Sequence, residues 1–344
     1  MTNLFDSFSI KDMTLRNRIV MPPMCMYSAD DKGYPTKWHL VHYTSRAVGG
    51  VGLIILEATA VDPAGRISGN DLGIWEDSQV DGLRQIVDSV KSNGAKICIQ
   101  LNHAGRKCEA KGERLVAPSP IAYDDKSSVP AEMTISEIKD TVKAFAKGAK
   151  RARLAGFDAI EIHAAHGYLI NQFLSPLTNK RTDEYGGSVG NRTRILKEVI
   201  MAVREYWPAE KPLLVRITAE DYMEGGNLAK DLSVIINSVK SYGVDLVDVS
   251  TGGVVPVVPK TYPGYQVSHA ERIKKETELP VIGGGLITEA KLANELIENE
   301  KMDLVYVGRG QLRNPYWSLS SAGELDYDIE WPVQYERAKQ RRKK

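Results

Sequence analysis

The feature that most constrains this chain is an alternation. Short apolar runs of strand length are followed by stretches of helical period until eight strand-like runs have been laid down, at 17–21, 51–58, 96–101, 159–163, 213–218, 246–250, 281–283 and 304–307. Helical patterns fall at 38–48, 80–92, 191–206, 228–242, 268–276 and 289–299. A further long helix opens at Thr134-Ile135-Ser136-Glu137, a capping box, carries Ile138, Val142, Phe145, Ala149 and Ala152 on one stripe, and ends at Gly156. The run VGLIILEA is nearly unbroken in its apolarity, as expected of a strand buried on both faces of a parallel sheet. Regular βα alternation with a count of eight predicts the α/β class and a closed (β/α)8 TIM barrel. The expected organisation is one domain over 1–344, with an N-terminal lead-in, a long loop at 103–133 after the third strand, and a C-terminal extension whose basic tail, about 338–344, is solvated and flexible.

Composition removes several function classes. A formal net charge of +1 over 344 residues gives no general attraction to nucleic acid or to an anionic membrane surface. No apolar stretch reaches the ~18 residues of a membrane helix, and MTNLFDSFSIKDM lacks the parts of a signal peptide. Cys25, Cys98 and Cys108 are odd in number and irregular in spacing, which implies neither a disulfide framework nor a zinc site. The expectation is a reduced, cytoplasmic protein acting on small molecules.

Strand alternation then selects residues. In KICIQL, Cys98 and Gln100 share one face; in AIEIH, Glu161 and His163 do; in LLVRIT, Leu214, Arg216 and Thr218 do. With the more apolar faces turned to the helices, Gln100, His163 and Arg216 point into the barrel near the C-terminal rim, where active sites of this fold lie. The fourth strand runs into HAAHGY, delivering His163, His166 and Tyr168 just past its end, a set suited to binding and protonating a polar substrate atom. The histidine spacing also suits a metal, but His39 and His42 fall on a helix and His103 heads a loop, so no converging ligand set is expected. Gly283-Gly284-Gly285 and Gly308-Arg309-Gly310 follow the last two strands, where backbone N–H groups can approach a phosphate. The segment PPMCMY after the first strand reads equally as a proline-stopped strand or as a backbone ledge against a flat ligand, with Cys25 and Tyr27 on the ligand side.

SIKDMTLRNRIVMPPMCMYSA, GLIILEATAV, QLNHAGRK, IEIHAAHGYLINQFLSPLTNKRTDEYGGS, NRTR, VRITAEDY, VIGGGLIT, VYVGRGQLRNP and PVQYER follow one another across about 4–337. Together they resemble the old yellow enzyme family of flavin-dependent ene-reductases, in its bacterial NADPH dehydrogenase branch. The resemblance implies noncovalent FMN at the barrel mouth and NADPH as co-substrate. It implies a flavin ledge at Pro22, Pro23, Met24 and Cys25 with Ala58, a hydrogen bond from Gln100 to the pyrimidine ring, and Arg216 beside its N1/C2 edge. The phosphate falls to Gly284, Gly285, Gly308 and Arg309. The implied reaction is ping-pong reduction of activated alkenes, with His163 and His166 binding the carbonyl or nitro oxygen and Tyr168 protonating the α-carbon. Cys25 tunes the flavin and Tyr27 contacts substrate. Arg337 matches an arginine that in this branch enters the neighbouring subunit's site, implying a homodimer or homotetramer; here the chain continues through AKQRRKK.

Two other readings compete. Dienoyl-CoA-type reductases of the same superfamily need a four-cysteine iron–sulfur motif and an added Rossmann domain. A flavin-free, phosphate-binding barrel aldolase or isomerase needs a catalytic lysine or carboxylate at a strand end, and no strand reads with an inward lysine.

Overall fold

A computed structural model describes residues 2–339. Eight parallel strands form the barrel: β1 (Ile19–Met21), β2 (Leu53–Ala60), β3 (Lys96–Asn102), β4 (Ala159–Ala164), β5 (Leu213–Thr218), β6 (Leu246–Ser250), β7 (Val281–Gly283) and β8 (Leu304–Tyr306). Each pairs with its neighbour in chain order, and β8 closes on β1. The helices are α1 (Lys37–Val48), α2 (Val80–Ser92), α3 (Ile135–Ala155), α4 (Leu169–Leu174), α5 (Val189–Arg204), α6 (Ala229–Val239), α7 (Val267–Thr277), α8 (Ala290–Glu298), α9 (Arg309–Arg313) and α10 (Trp317–Glu324). The expected TIM barrel is thus the observed one. The capping box at Thr134 and Glu137 opens α3, and Gly156, at φ +90°, closes it.

The two strand faces separate as the alternation required. Ile97, Ile99, Ile160, Ile162, Val215 and Ile217 belong to the apolar layer shared with the helices. Val20, Leu53, Ile55, Cys98, Leu214, Leu246, Ile282 and Leu304 form a second cluster inside the barrel. The lead-in proves to be an antiparallel hairpin, Phe8–Ile10 with Met13–Leu15, and its Met13 and Leu15 join that interior cluster. The loop at 103–133 holds a 3-10 turn, Gly105–Lys107, and two short paired strands, Val116–Ala117 and Ala131–Glu132.

Periodicity missed α4, whose six residues are all buried and so carry no amphipathic stripe. The short α9 and α10 were missed too. The expected solvated tail lies outside the described residues from 340 onward.

One irregularity positions the mouth. Between β2 and β3 the register shifts from Leu56↔Ile99 to Ala58↔Gln100, so Glu57 is an extra, bulged residue. Strict alternation places Ala58 with the helix-facing Ile54 and Leu56; the bulge returns it to the face of Gln100. The displaced Glu57 is fully buried. Its carboxylate accepts from Met26 N–H at 2.7 Å and from the Tyr43 hydroxyl at 2.8 Å, tying the segment after β1 to β2 and α1.

Burial raises the Glu57 carboxyl to about 7, against the opposing pull of those two hydrogen bonds. Its folded state holds the proton more tightly than the unfolded chain. Stability from this group is therefore full below about pH 4.5 and is lost as pH rises through about 7, a span worth about 3 kcal/mol. Thermal denaturation across that window should show the wild type losing stability relative to Glu57→Gln; parallel curves would contradict the assignment.

Candidate active site

All eight strands contribute to the C-terminal mouth. Deepest are Gln100 on β3, Glu161 on β4, Arg216 on β5 and Asp248 on β6. Gln100 and Glu161 are register partners, as are Arg216 and Asp248. Gln100 Nε2 donates to Glu161 Oε1 at 2.8 Å, and Arg216 Nε lies 3.1 Å from Asp248 Oδ2. The Tyr306 ring of β8 lies 5.9 Å from the Arg216 guanidinium carbon.

Above this layer sits the turn after β4. His166 and Gly167 take left-handed backbone at φ +58° and +72°. A Cβ on Gly167 would come 2.1 Å from Gly253 O, so only glycine lets the loop after β6 close on this turn. The His163 ring stands edge-on to both neighbours, 5.2 Å from His166 and 4.9 Å from Tyr168.

A hydrogen bond fixes which nitrogen of His163 carries the proton. Ala165 N–H donates to His163 Nδ1 at 3.2 Å, which leaves the proton on Nε2. His166 Nε2 lies 2.7 Å from Ser250 Oγ. That oxygen accepts from Gln266 Nε2 at 3.2 Å, and Gln266 Oε1 accepts from the Tyr306 hydroxyl. With two lone pairs, Ser250 Oγ can accept from Gln266 and either donate to or accept from His166 Nε2, so this contact anchors the His166 ring without choosing its tautomer. Burial first, then the nearby charges of Arg216 and Lys107, hold both rings well below the usual histidine range. Each is a neutral imidazole carrying one N–H. Burial likewise pushes the Tyr168 phenol well above its usual range, so it keeps its proton.

The remaining candidates gather around these groups. Cys25, Ala58 and Tyr168 belong to one small cluster with Ile67 and Ala104. Burial raises the Cys25 thiol strongly, keeping it protonated. Tyr27, 55% exposed and at φ +50°, stands on the rim. A Cβ at Gly308 would sit 3.4 Å from both Met24 Sδ and Pro22 Cγ, which places this turn against the segment after β1. Tyr265 packs by Gly285 and within electrostatic reach of Arg309 and Arg216. Arg337 is not brought to this mouth: it lies exposed on the 3-10 turn Val333–Ala338.

His39, His42 and His103 serve elsewhere. His39 Nδ1 accepts from Thr36 N–H at the start of α1, His42 stacks on Trp38, and His103 Nδ1 accepts from Gly105 N–H. Among the described residues no group of three or more His, Cys, Asp or Glu is placed to hold a metal.

Comparison with known proteins agrees with this geometry. The NADH:flavin oxidoreductase / NADH oxidase family model matches residues 3–325. The chain belongs to that family. It is 56% identical over 336 residues to an NADPH dehydrogenase of Clostridium acetobutylicum, covering 97% of this chain and 99% of the relative. Among solved structures, morphinone reductase superposes with a TM-score of 0.80 at 29% identity, over 96% of this chain and 93% of that one. A 2-naphthoyl-CoA reductase complex superposes at 0.89 and 26% identity over 94% of this chain, which spans about half (52%) of that protein.

This flavin oxidoreductase uses FMN, and the mouth fits it. Arg216 is 6% exposed and its Nε faces Asp248 Oδ2 at 3.1 Å, which leaves the terminal nitrogens of a buried cation for an electron-rich ring edge. A Cβ at Gly284 would meet the Tyr306 ring at 2.5 Å, and Gly285 takes φ +98°; with Gly308 these side-chain-free turns have the form of backbone that a phosphate could approach. Exposed Arg309 adds the positive charge a phosphate requires.

Sequence reasoning missed several working parts. Ser250, Gln266 and Tyr306 carry no motif and meet only in space. Lys107, in QLNHAGRK, follows β3 and reaches the mouth from the loop: its Nζ donates to His166 O at 3.0 Å and lies 5.1 Å from the Tyr168 ring centre. Burial, with Arg106 beside it, lowers this ammonium to about 8. Arg106 reaches Ile121 O, Ala122 O and Val254 O, fastening the long loop across the mouth.

Removing the Ser250 hydroxyl takes away the hydrogen-bond partner of His166 Nε2. Ser250→Ala should weaken binding of a phenolic ligand about tenfold, the worth of one neutral hydrogen bond. Titration of the flavin absorbance checks this, and unchanged affinity would show that the relay does not orient His166.

Proposed function

We propose that this chain is a cytoplasmic, FMN-dependent NADPH:alkene oxidoreductase that reduces the C=C bond of α,β-unsaturated carbonyl or nitro compounds by a ping-pong mechanism. The observation that carries the reading is the pair of neutral imidazoles, each bearing one N–H, beside a half-buried and protonated phenol. Such a set binds an oxygen that gains negative charge and supplies a proton next to it.

FMN would be held by Pro22, Pro23, Met24, Cys25, Ala58, Gln100, His163, Arg216, Gly284, Gly285, Gly308 and Arg309. When bound, FMN supplies the hydride, accepted from NADPH in one half-reaction and delivered to the alkene β-carbon in the other. His163 Nε2–H and the His166 imidazole hold the substrate oxygen and stabilise its developing enolate-like charge. Tyr168 gives its proton to the α-carbon, and its phenolate regains one from solvent. The Lys107 ammonium close to its ring favours that transient anion. The Cys25 thiol, kept protonated by burial, borders the ring, and Tyr27 borders the substrate from the rim. A flavin-free aldolase or isomerase is not favoured: Lys107 borders the mouth, but its Nζ is engaged by His166 O and Gly253 O.

Arg337 is the further element of this reading. Its exposure on its own subunit suits a role in a neighbour's site, within a homodimer or homotetramer.

Purified protein should be yellow, bleached by NADPH and reoxidised by cyclohexenone or maleimide. A colourless protein that takes up no added FMN would sink the proposal. Tyr168→Phe should leave bleaching by NADPH intact while slowing alkene turnover at least about a hundredfold in stopped-flow. Arg337→Ala should raise the alkene KM without altering the NADPH half-reaction; unchanged KM in an assembled oligomer would remove Arg337 from the site.

A further inference from the structure

Beneath the mouth lie two acids with no part in the reaction above. Glu161 and Asp248 are both 0% exposed. Gln100 serves Glu161 Oε1 at 2.8 Å, and Arg216 Nε faces Asp248 Oδ2 at 3.1 Å. Glu161 Oε2 and both Asp248 oxygens then have no hydrogen-bond donor among the described residues, although the two carboxyl groups are in hydrogen-bonding contact with each other. Two carboxylates have no donor to offer one another. A proton on one of them supplies it.

Charge leads to the same result. The titratable groups around the pair are Cys98 on β3, His163 on β4, Arg216 on β5, Tyr306 on β8, and Cys25 near Arg216. Burial keeps His163 neutral and the thiols and phenol protonated, so Arg216 is the one cation among them. One guanidinium balances one carboxylate. A second, unpaired carboxylate at that depth takes a proton instead of bearing the desolvation cost. Asp248 has the guanidinium; Glu161 has the neutral Gln100 amide, so the proton resides chiefly on Glu161. Burial, then the Asp248 charge, push its carboxyl well above the usual range.

We propose that Glu161 and Asp248 share one proton behind Arg216, so that one negative charge, not two, stands at the back of the guanidinium and sets how strongly it favours reduced FMN. The proposal rests on the flavin reading through Arg216 alone. Reduction adds negative charge at the flavin, so each buried anion behind the guanidinium disfavours it. Sharing makes the pair self-buffering. Glu161→Gln leaves Asp248 ionised against Arg216. Asp248→Asn removes the repulsion that keeps Glu161 protonated, and Glu161 ionises in its place. Only the double variant leaves Arg216 uncompensated. The two acids are thus positioning residues that act through Arg216.

The test is the midpoint potential of bound flavin at pH 7 in the wild-type holoprotein, Glu161→Gln, Asp248→Asn and the double variant. Each single variant should stay within about threefold of wild type in the reduction equilibrium, and the double variant should favour reduced flavin at least tenfold, ~30 mV for a two-electron couple. Equal, additive rises in the single variants would mean that both acids are ionised, overturning the shared proton. An unchanged double variant that still binds FMN would overturn the coupling through Arg216. A second measurement needs no flavin. Glu161 binds its proton more tightly folded than unfolded, so wild-type stability should fall relative to Glu161→Gln as pH rises above about 4.5. Parallel melting curves would refute the buried proton. A wild-type protein that binds no FMN defeats the flavin reading instead, and the melting curves still decide the proton.

Discussion

A guanidinium held inside a closed barrel must be matched from the strands around it, and the interior of this protein is arranged around that demand. Arg216 stands between Asp248, one strand on, and the Glu161–Gln100 pair on the two strands before it. Below them, Leu53, Ile55, Leu214, Leu246 and Ile282 exclude water, with the hairpin's Met13 and Leu15 among them. Low polarity there strengthens every charge interaction and makes every unmatched one costly. Apart from Lys107 and Arg106 in the loop that borders it, the rest of the mouth can then be neutral. Its imidazoles are held uncharged beside Arg216, and its thiol and phenol keep their protons. A buried cation with neutral donors above it suits a site whose ligand gains electrons.

Around this cation the mouth is fixed by ties that cross between strand ends. Glu57, displaced by the bulge in β2, holds Met26 and so the segment carrying Pro22 to Cys25. The chain from Tyr306 through Gln266 and Ser250 reaches His166 and anchors its ring. Lys107 and Arg106 fasten the loop after β3 over the turn after β4 and the loop after β6. Each tie joins residues far apart in the chain, so the donor geometry depends on barrel closure and not on any one segment.

Much of this was legible beforehand. The eight strands, the inward aim of Gln100, His163 and Arg216, and the paired glycine turns follow from local pattern: side chains alternate along a strand, and apolar faces turn to the helices. Ala58 tests the limit of that logic. Strict alternation puts it on the wrong face, and only the register shift against β3 returns it to the mouth. Family resemblance, not spacing, supplied the separate roles of His163, His166, Tyr168 and Cys25.

The sequence by itself determined the barrel, its strand faces and the chemical inventory at its rim, because those depend on periodicities of two and 3.6 residues within single segments. Tertiary structure alone decided which nitrogen of His163 carries a proton, which acids meet behind Arg216, and how Glu57, Ser250, Gln266 and Lys107 enter the site. Those outcomes depend on burial and on partners brought from other strands, and neither exists until the barrel closes.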